Sequence, residues 1–342
     1  MQIIIRTLAI SVGITSAGAV CAESTEEKQI SSLATKNEDN WLSGIDFSAL
    51  VEIEAQRVSP DNEKPDSNTY DATIELGFQT QLNAWISAKF ILFYENSDDE
   101  SGETSIDTAT ITLSDPDSFW FVTAGQYNLP FGDYSSNLIS DPITVDAGET
   151  SGVLIETGID MVGIHASLYV FNGEQESDVS NGGVSLGYRF ERDDVTITTS
   201  LGWINDMGES DFVIDDETEQ TNMASAWTAF AQIELESMTF IGEYVAATQA
   251  LEAYSTTDKP SAFNLEAAYH FDLLNKPTTL AIGVQGSAEA SNLAKGLDKK
   301  RIIAGASVEI FKGGSIAVEY TKSEEYDGVE SDIITGQLAV EF

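Results

Sequence analysis

Carboxylates recur at alternate positions in several apolar stretches, and this spacing is the clearest hint of chemistry in the sequence. Glu52 and Glu54 alternate with apolar neighbours, and Asp71 and Glu75 do the same. Residues two apart in an extended strand share one face, so these acids would line one side of a sheet. Later acids at alternating positions are Glu243, Glu266, Glu309 and Glu319. The few bases on the same face are Lys89, Arg189 and Arg57. Around a water-filled passage, rings of acids favour cations.

Other candidate chemistry is weak. The stretch Gly183–Gly187 matches the Gly-x-Ser-x-Gly pattern of hydrolase nucleophiles, but it lies inside an alternating segment and not at a strand-to-helix bend. The two histidines, His165 and His270, have no metal or triad spacing, and we expect both on the wall of a water-filled interior. The acidic runs at 97–100 and 215–217 lack the regular ligand spacing of a calcium loop, which favours solvated loops. We therefore predict no enzymatic activity, no metal site and no cofactor.

Charge excludes one class of partner. The chain of 342 residues has 57 acids against 16 bases and a formal charge of −41. Nothing in this balance could neutralise phosphates, so we expect no nucleic-acid partner. Part of the charge serves solvation, and it also suits cationic solutes and a cation-bridged lipid surface such as lipopolysaccharide.

The acids lie on segments with a repeating period of two. Ile45, Phe47, Val51 and Ile53 alternate with polar residues, as do Ala72, Ile74, Leu76 and Phe78. Such segments of about ten residues are the signature of a membrane-spanning barrel. About sixteen are visible, with an uncertainty of two. We predict an all-β, antiparallel up-and-down transmembrane barrel over residues 41–342.

The connections between these segments alternate in length, which supports this architecture. Residues 58–69, 96–104, 128–150, 205–222 and 287–300 are long connections, and short ones fall at 83–84, 114–118, 157–160, 236–237 and 312–314. Barrels of this class have short periplasmic turns and long outer loops. Aromatic residues near the segment ends would form two interfacial girdles, with Phe171 and Trp203 at the outer rim.

Both ends of the chain predict export to the outer membrane. Residues 1–22 read as a signal peptide with Arg6 at its basic start and cleavage near Ala22. Residues 23–40 would form a short periplasmic segment. The last strand, with Leu338, Val340 and Phe342 on one face, resembles the signal that the barrel-assembly machinery recognises. A homotrimer is one assembly compatible with this architecture.

The longest connection interrupts the pattern after the fifth strand. Pro130 and Gly132 stop the strand and bend the chain. Its apolar residues, Leu138, Ile139, Pro142, Ile143 and Val145, need a surface to pack on. We expect an inward-folded constriction loop; an outer lid or a contact with a neighbouring subunit is the alternative.

Charged residues of this loop are the candidate solute contacts. Asp141, Asp146 and Glu149 on the loop, with Lys89 and Arg189 on the wall, would create a transverse field at the constriction.

The same loop carries a family resemblance. Its motif residues are Gly125, Gln126, Leu129, Pro130, Phe131 and Gly132, then Ser140, Asp141 and Pro142, then Gly148, Glu149 and Thr150. This pattern resembles the LbtU-type siderophore porins, and weaker similarity covers nearly all of the chain. The resemblance implies an outer-membrane barrel that admits ferric siderophores without an N-terminal plug. The acidic interior favours an alternative, a general or nutrient porin for small hydrophilic solutes with cation preference.

Overall fold

The computed structural model describes residues 44–61, 66–96, 102–172, 179–210, 223–251, 258–291 and 297–342. The expected signal peptide, the segment 23–40 and the acidic runs at 97–100 and 215–217 lie outside these residues.

Sixteen antiparallel strands form one closed barrel, in which each strand pairs with its neighbours in sequence and β1 pairs with β16. They are β1 (Ile45–Pro60), β2 (Ser67–Asn83), β3 (Ile86–Asn96), β4 (Glu103–Ser114), β5 (Trp120–Asn128), β6 (Ser151–Met161), β7 (Ile164–Asn172), β8 (Val179–Arg192), β9 (Val195–Ile204), β10 (Ala226–Leu235), β11 (Met238–Ala247), β12 (Ser261–Leu273), β13 (Lys276–Ala288), β14 (Lys300–Phe311), β15 (Gly314–Glu324) and β16 (Glu330–Glu341). One short helix, α1 (Ile143–Gly148), lies between β5 and β6. The predicted barrel of about sixteen strands is confirmed.

The C-terminal strand closes the ring. Val51 lies opposite Val340 in the register of β1 and β16, and the Phe342 N–H donates to the Ala49 carbonyl at 3.0 Å. Closure pairs the backbone groups that an open sheet edge would leave free, which is the condition for placing a sheet in a lipid environment.

Apolar and polar side chains separate onto the two faces of the wall, as a period of two requires. The side chain of Ile53 is 54% exposed, whereas its neighbours Glu52 and Glu54 are 5% and 9% exposed. Exposed apolar residues recur at alternate positions around the barrel, among them Phe47, Phe78, Val153, Leu168, Leu201, Leu265, Ile282, Val318 and Leu338. The exterior is therefore an apolar surface, and the alternate positions face the interior.

Two local predictions are wrong. Residues 157–160 are not a turn, because Thr157 pairs with Val122 and with Leu168 inside the sheet. The turn follows at Val162 and Gly163, where both residues have positive φ. Register with two neighbouring strands outweighs the turn-like composition of this stretch. Phe171 does not lie in an exposed outer girdle, since only 1% of it is exposed and it belongs to a buried cluster.

Candidate functional site

The segment between β5 and β6, residues 129–150, is the candidate site and is called the lumen segment below. Near its start, the motif residues Gly125 and Gly132 adopt positive φ angles that other residues rarely adopt. Gly125 has φ +149°, and an added Cβ there would lie 2.0 Å from the Ala109 carbonyl oxygen. The Leu129 N–H donates to the Thr150 carbonyl at 2.9 Å, and Asn128 donates to Glu149 at 2.8 Å. Both stems of the segment are thus tied together at its base.

The lumen segment contacts the far side of the barrel. It leaves from β5 and returns to β6, yet its hydrogen bonds reach side chains on β11, β12, β13 and β15. In a ring of sixteen, β13 is the eighth strand from β5 and stands opposite to it. These side chains occupy interior-facing positions, so the segment runs across the inside of the barrel.

Glu243 on β11 accepts the first group of these hydrogen bonds. Its Oε1 accepts from the backbone N–H of Asp133 at 2.9 Å and of Tyr134 at 3.3 Å. Its Oε2 accepts from the Thr144 hydroxyl at 2.8 Å. Both oxygens of this one wall residue therefore accept hydrogen bonds from the lumen segment.

Glu266 and Glu319 repeat the arrangement further along the segment. Glu266 on β12 accepts from the Ser136 hydroxyl at 2.8 Å and from the Asn137 N–H at 2.8 Å. Glu319 on β15 accepts from the Ile139 N–H at 2.7 Å and from both the N–H and the hydroxyl of Ser140. Three wall carboxylates therefore hold the backbone at intervals of about three residues along the segment.

Helix α1 completes the docking of the segment. The Ile143 N–H at its start donates to Gln285 Oε1 on β13 at 3.1 Å. Asp146 on the helix lies 3.6 Å from the Arg301 guanidinium on β14, which also contacts Asp298 at 2.6 Å. The helix thus meets the wall through both a neutral bond and an ion pair.

Apolar side chains of the segment pack into recesses that wall glycines create. An added Cβ at Gly283 would lie 2.9 Å from a Leu138 methyl carbon, and one at Gly305 would lie 3.0 Å from the other. A larger cluster joins the segment to β6, β7, β11 and the outer connections; its members include Leu129, Phe131, Tyr134, Ile143, Val145, Leu154, Tyr169, Phe171, Ile204, Met207 and Val245. Burial of this area stabilises the docked segment.

Burial inside the barrel raises the pKa of two titratable groups of the segment. Burial raises the pKa of Tyr134 well above its ordinary value, and its hydroxyl donates to the Phe131 carbonyl at 2.6 Å. Desolvation by the surrounding wall also raises the pKa of Asp133, against hydrogen bonds from Ser135 that lower it.

The structure separates the five charged residues that the sequence suggested as solute contacts. Asp141, Asp146 and Glu149 lie on the lumen segment, and the base that contacts Asp146 is Arg301. Lys89 and Arg189 lie near the short-turn ends of β3 and β8, and Arg189 has its ion pair with Glu191 at 3.7 Å. Arg301, which the sequence did not single out, is a wall base that the structure places against the segment. Ile302 is exposed on the outer face, so alternation alone could have placed Arg301 inside.

The remaining motif residues have structural contacts. Gln126 donates to the Ile106 carbonyl at 2.7 Å, Pro142 precedes α1, and Gly148 ends it beside the Tyr134 hydroxyl. The Gly-x-Ser-x-Gly stretch lies within β8. His165 lies 3.9 Å from Glu156 and 3.8 Å from Asp160.

Within the described ranges, no group of three or more His, Cys, Asp or Glu residues is placed to hold a metal ion. Among the same residues, no helix has the length and apolar character needed to cross a membrane.

The chain is similar in sequence to bacterial UPF0422 proteins. No family model matches the chain. A UPF0422 protein of Coxiella burnetii is 28% identical over 273 residues, which cover 74% of this chain and 58% of that protein. The UPF0422 protein lpp3030 of Legionella pneumophila is 24% identical over 285 residues, covering 74% and 53%. The chain thus matches little more than half the length of these relatives.

Solved structures with the same fold are porins and outer-membrane channels. Pseudomonas putida OprB superposes with a TM-score of 0.66 at 9% identity, covering 87% of this chain and 94% of OprB. The channel DcaP of Acinetobacter baumannii gives 0.60 at 14% identity, and Salmonella typhi OmpF gives 0.58 at 13%; each covers 87% of this chain and 97% of the other. The chain has the porin-like sixteen-strand barrel fold.

Proposed function

We propose that this chain is an outer-membrane channel whose passage is narrowed by the lumen segment. The observation that carries the proposal is the set of hydrogen bonds from residues 133–144 to the opposite wall, at Glu243, Glu266 and Glu319. A segment held across a barrel interior reduces the open cross-section and sets the size and charge of what passes.

The apolar exterior, the signal-like N-terminus and the likeness to porins support a location in the outer membrane. Lipopolysaccharide as the surrounding lipid, delivery by the barrel-assembly machinery and a homotrimeric state belong to this proposal.

The solute that we propose is a ferric siderophore. The motif in residues 125–150 supports it through the resemblance to siderophore porins, and the structure supplies a physical setting for that motif. Its glycines and its Leu-Pro-Phe-Gly stretch form the stem and bend from which the segment crosses the barrel. Movement would follow the concentration gradient.

A second candidate is a general diffusion porin with cation preference. The interior acids other than the three that hold the segment favour it. Asp107 and Glu341 lie within electrostatic range of Glu75 on the wall, and Lys89 is the base there. An acidic wall attracts cations and repels an anionic ferric complex.

Conductance in planar bilayers separates the two candidates. The refolded barrel would be measured in a salt gradient, then titrated with a ferric hydroxamate siderophore and with its iron-free form. Block by the ferric form alone supports siderophore passage. Cation-selective current that neither form affects favours the general porin, and the lack of any current from correctly folded protein would contradict a channel.

A further inference from the structure

Three interior side chains form a polar row beneath helix α1. Glu243 on β11 lies opposite Asn264 on β12, which lies opposite Gln285 on β13. Glu243 is bonded to Thr144 of the helix and Gln285 to the N–H of Ile143. Asn264 therefore lies between two anchors of the same helix.

Asn264 has no protein partner there. Its side chain is 0% exposed, and neither Nδ2 nor Oδ1 has a hydrogen bond to a described residue. Gln285 is also 0% exposed, and its Nε2 likewise has no hydrogen bond to a described residue. Exchanging the amide atoms of Asn264 would not help, because both are unpartnered. Leaving such a buried group without a partner is costly, and native interiors rarely accept that cost.

The chemistry of these atoms selects the ligand. Each amide nitrogen offers two N–H donors, whereas Asn264 Oδ1 is the single acceptor among the three atoms. A metal ion or organic cation is disfavoured, since N–H donors dominate the site. An anion is disfavoured by the adjacent carboxylate of Glu243. Water both donates and accepts, and it commonly bridges buried polar groups with about three hydrogen bonds.

We infer that Asn264 and Gln285 bind buried water beneath helix α1. The lumen segment is then held in two different ways. Residues 133–140 are fixed by direct bonds to carboxylates, whereas the start of α1 rests on water between its two anchors.

The direct test is a high-resolution crystal structure of the unaltered full barrel. The expected result is ordered solvent density within hydrogen-bond distance of Asn264 Nδ2, Asn264 Oδ1 and Gln285 Nε2. Density showing these atoms bonded directly to protein groups, with no solvent between them, would overturn the inference. This experiment uses the unaltered protein, so it tests for the water even if substituted proteins do not fold.

A pair of variants gives an independent test. N264V is expected to lower the unfolding temperature, because it removes one partner of the water and leaves Gln285 Nε2 buried without a hydrogen bond. Its matched control is N181V, since Asn181 is also buried but has direct hydrogen bonds to Glu209 and Asn205. The control is expected to unfold at a lower temperature. An unchanged or higher unfolding temperature for N264V would count against water at Asn264.

Discussion

Ser140 and Glu319 are 179 positions apart in the chain, and one carboxylate accepts both donors of that serine. The backbone N–H of Ser140 donates to Oε2 at 3.3 Å, and its hydroxyl donates to Oε1. Glu319 is 1% exposed, so the bond is shielded from solvent. The contact fixes the far end of the lumen segment to β15.

Removal of this carboxylate should loosen the segment. In E319A, the N–H groups of Ile139 and Ser140 lose their acceptor, which costs about 1–3 kcal/mol of docking stability. We expect faster amide exchange in residues 136–142. E234A is the control, because Glu234 is an interior acid of β10 that accepts from Gln232. Equal amide-exchange rates in E319A and the unaltered protein would argue that Glu319 does not hold the segment in place.

Filling a wall recess should displace the segment through Leu138. G283V adds carbon where Leu138 lies 2.9 Å from the ideal Cβ, and overpacking of this kind costs about 1–3 kcal/mol. We expect G283V to lower the unfolding temperature and L138A to restore part of the loss in the double variant. Valine at Gly336 serves as control, since nothing lies within 4 Å of a Cβ there. Additive effects of G283V and L138A would show that the two positions do not touch.

The docking of the segment should depend on pH through Asp133. Desolvation raises the pKa of Asp133 in the docked segment above its ordinary value. An acid whose pKa is raised by docking favours docking while it is protonated. This contribution is complete below the ordinary aspartate pKa and is lost as pH rises through the raised value. We expect D133N to exchange its segment amides more slowly than the unaltered protein at neutral pH. A difference that persists below pH 3 would contradict this assignment.

Arg301 should influence charge selectivity from the wall beside α1. It contacts Asp146 on the helix and Asp298 on the outer connection. R301Q removes a positive charge next to the segment, so the reversal potential should move further toward cations. K276Q is the control at the short-turn end of β13, where Lys276 donates to the Ile310 carbonyl. An identical reversal potential in R301Q and the unaltered protein would place Arg301 away from the ion path.

Much of the fold could be predicted because strand patterning is local. Val51 and Ile53 already alternate with acids in the sequence, and a period of two places them on one face wherever the strand pairs. The end of β5 is also determined locally, because Pro130 and Gly132 disfavour a continuing strand. The strand accordingly ends at Asn128. The position of the turn after β6 was harder to predict, because Val162 adopts a positive φ that is unusual for a β-branched residue.

The partners of the lumen segment could not be predicted in the same way. Glu243, Glu266 and Glu319 looked like members of an acidic ring facing solute, and only the tertiary structure shows them accepting bonds from the segment. Each partner lies more than 90 positions from the segment, so no local pattern connects them. Arg301 was missed for the same reason.

The most direct test of the account is the single-channel conductance of the triple variant E243A/E266A/E319A beside that of the unaltered barrel. These three carboxylates hold residues 133–144 across the interior, so their removal should free the segment and raise the conductance. Correctly folded triple variant with the conductance of the unaltered barrel would contradict a passage narrowed by this segment.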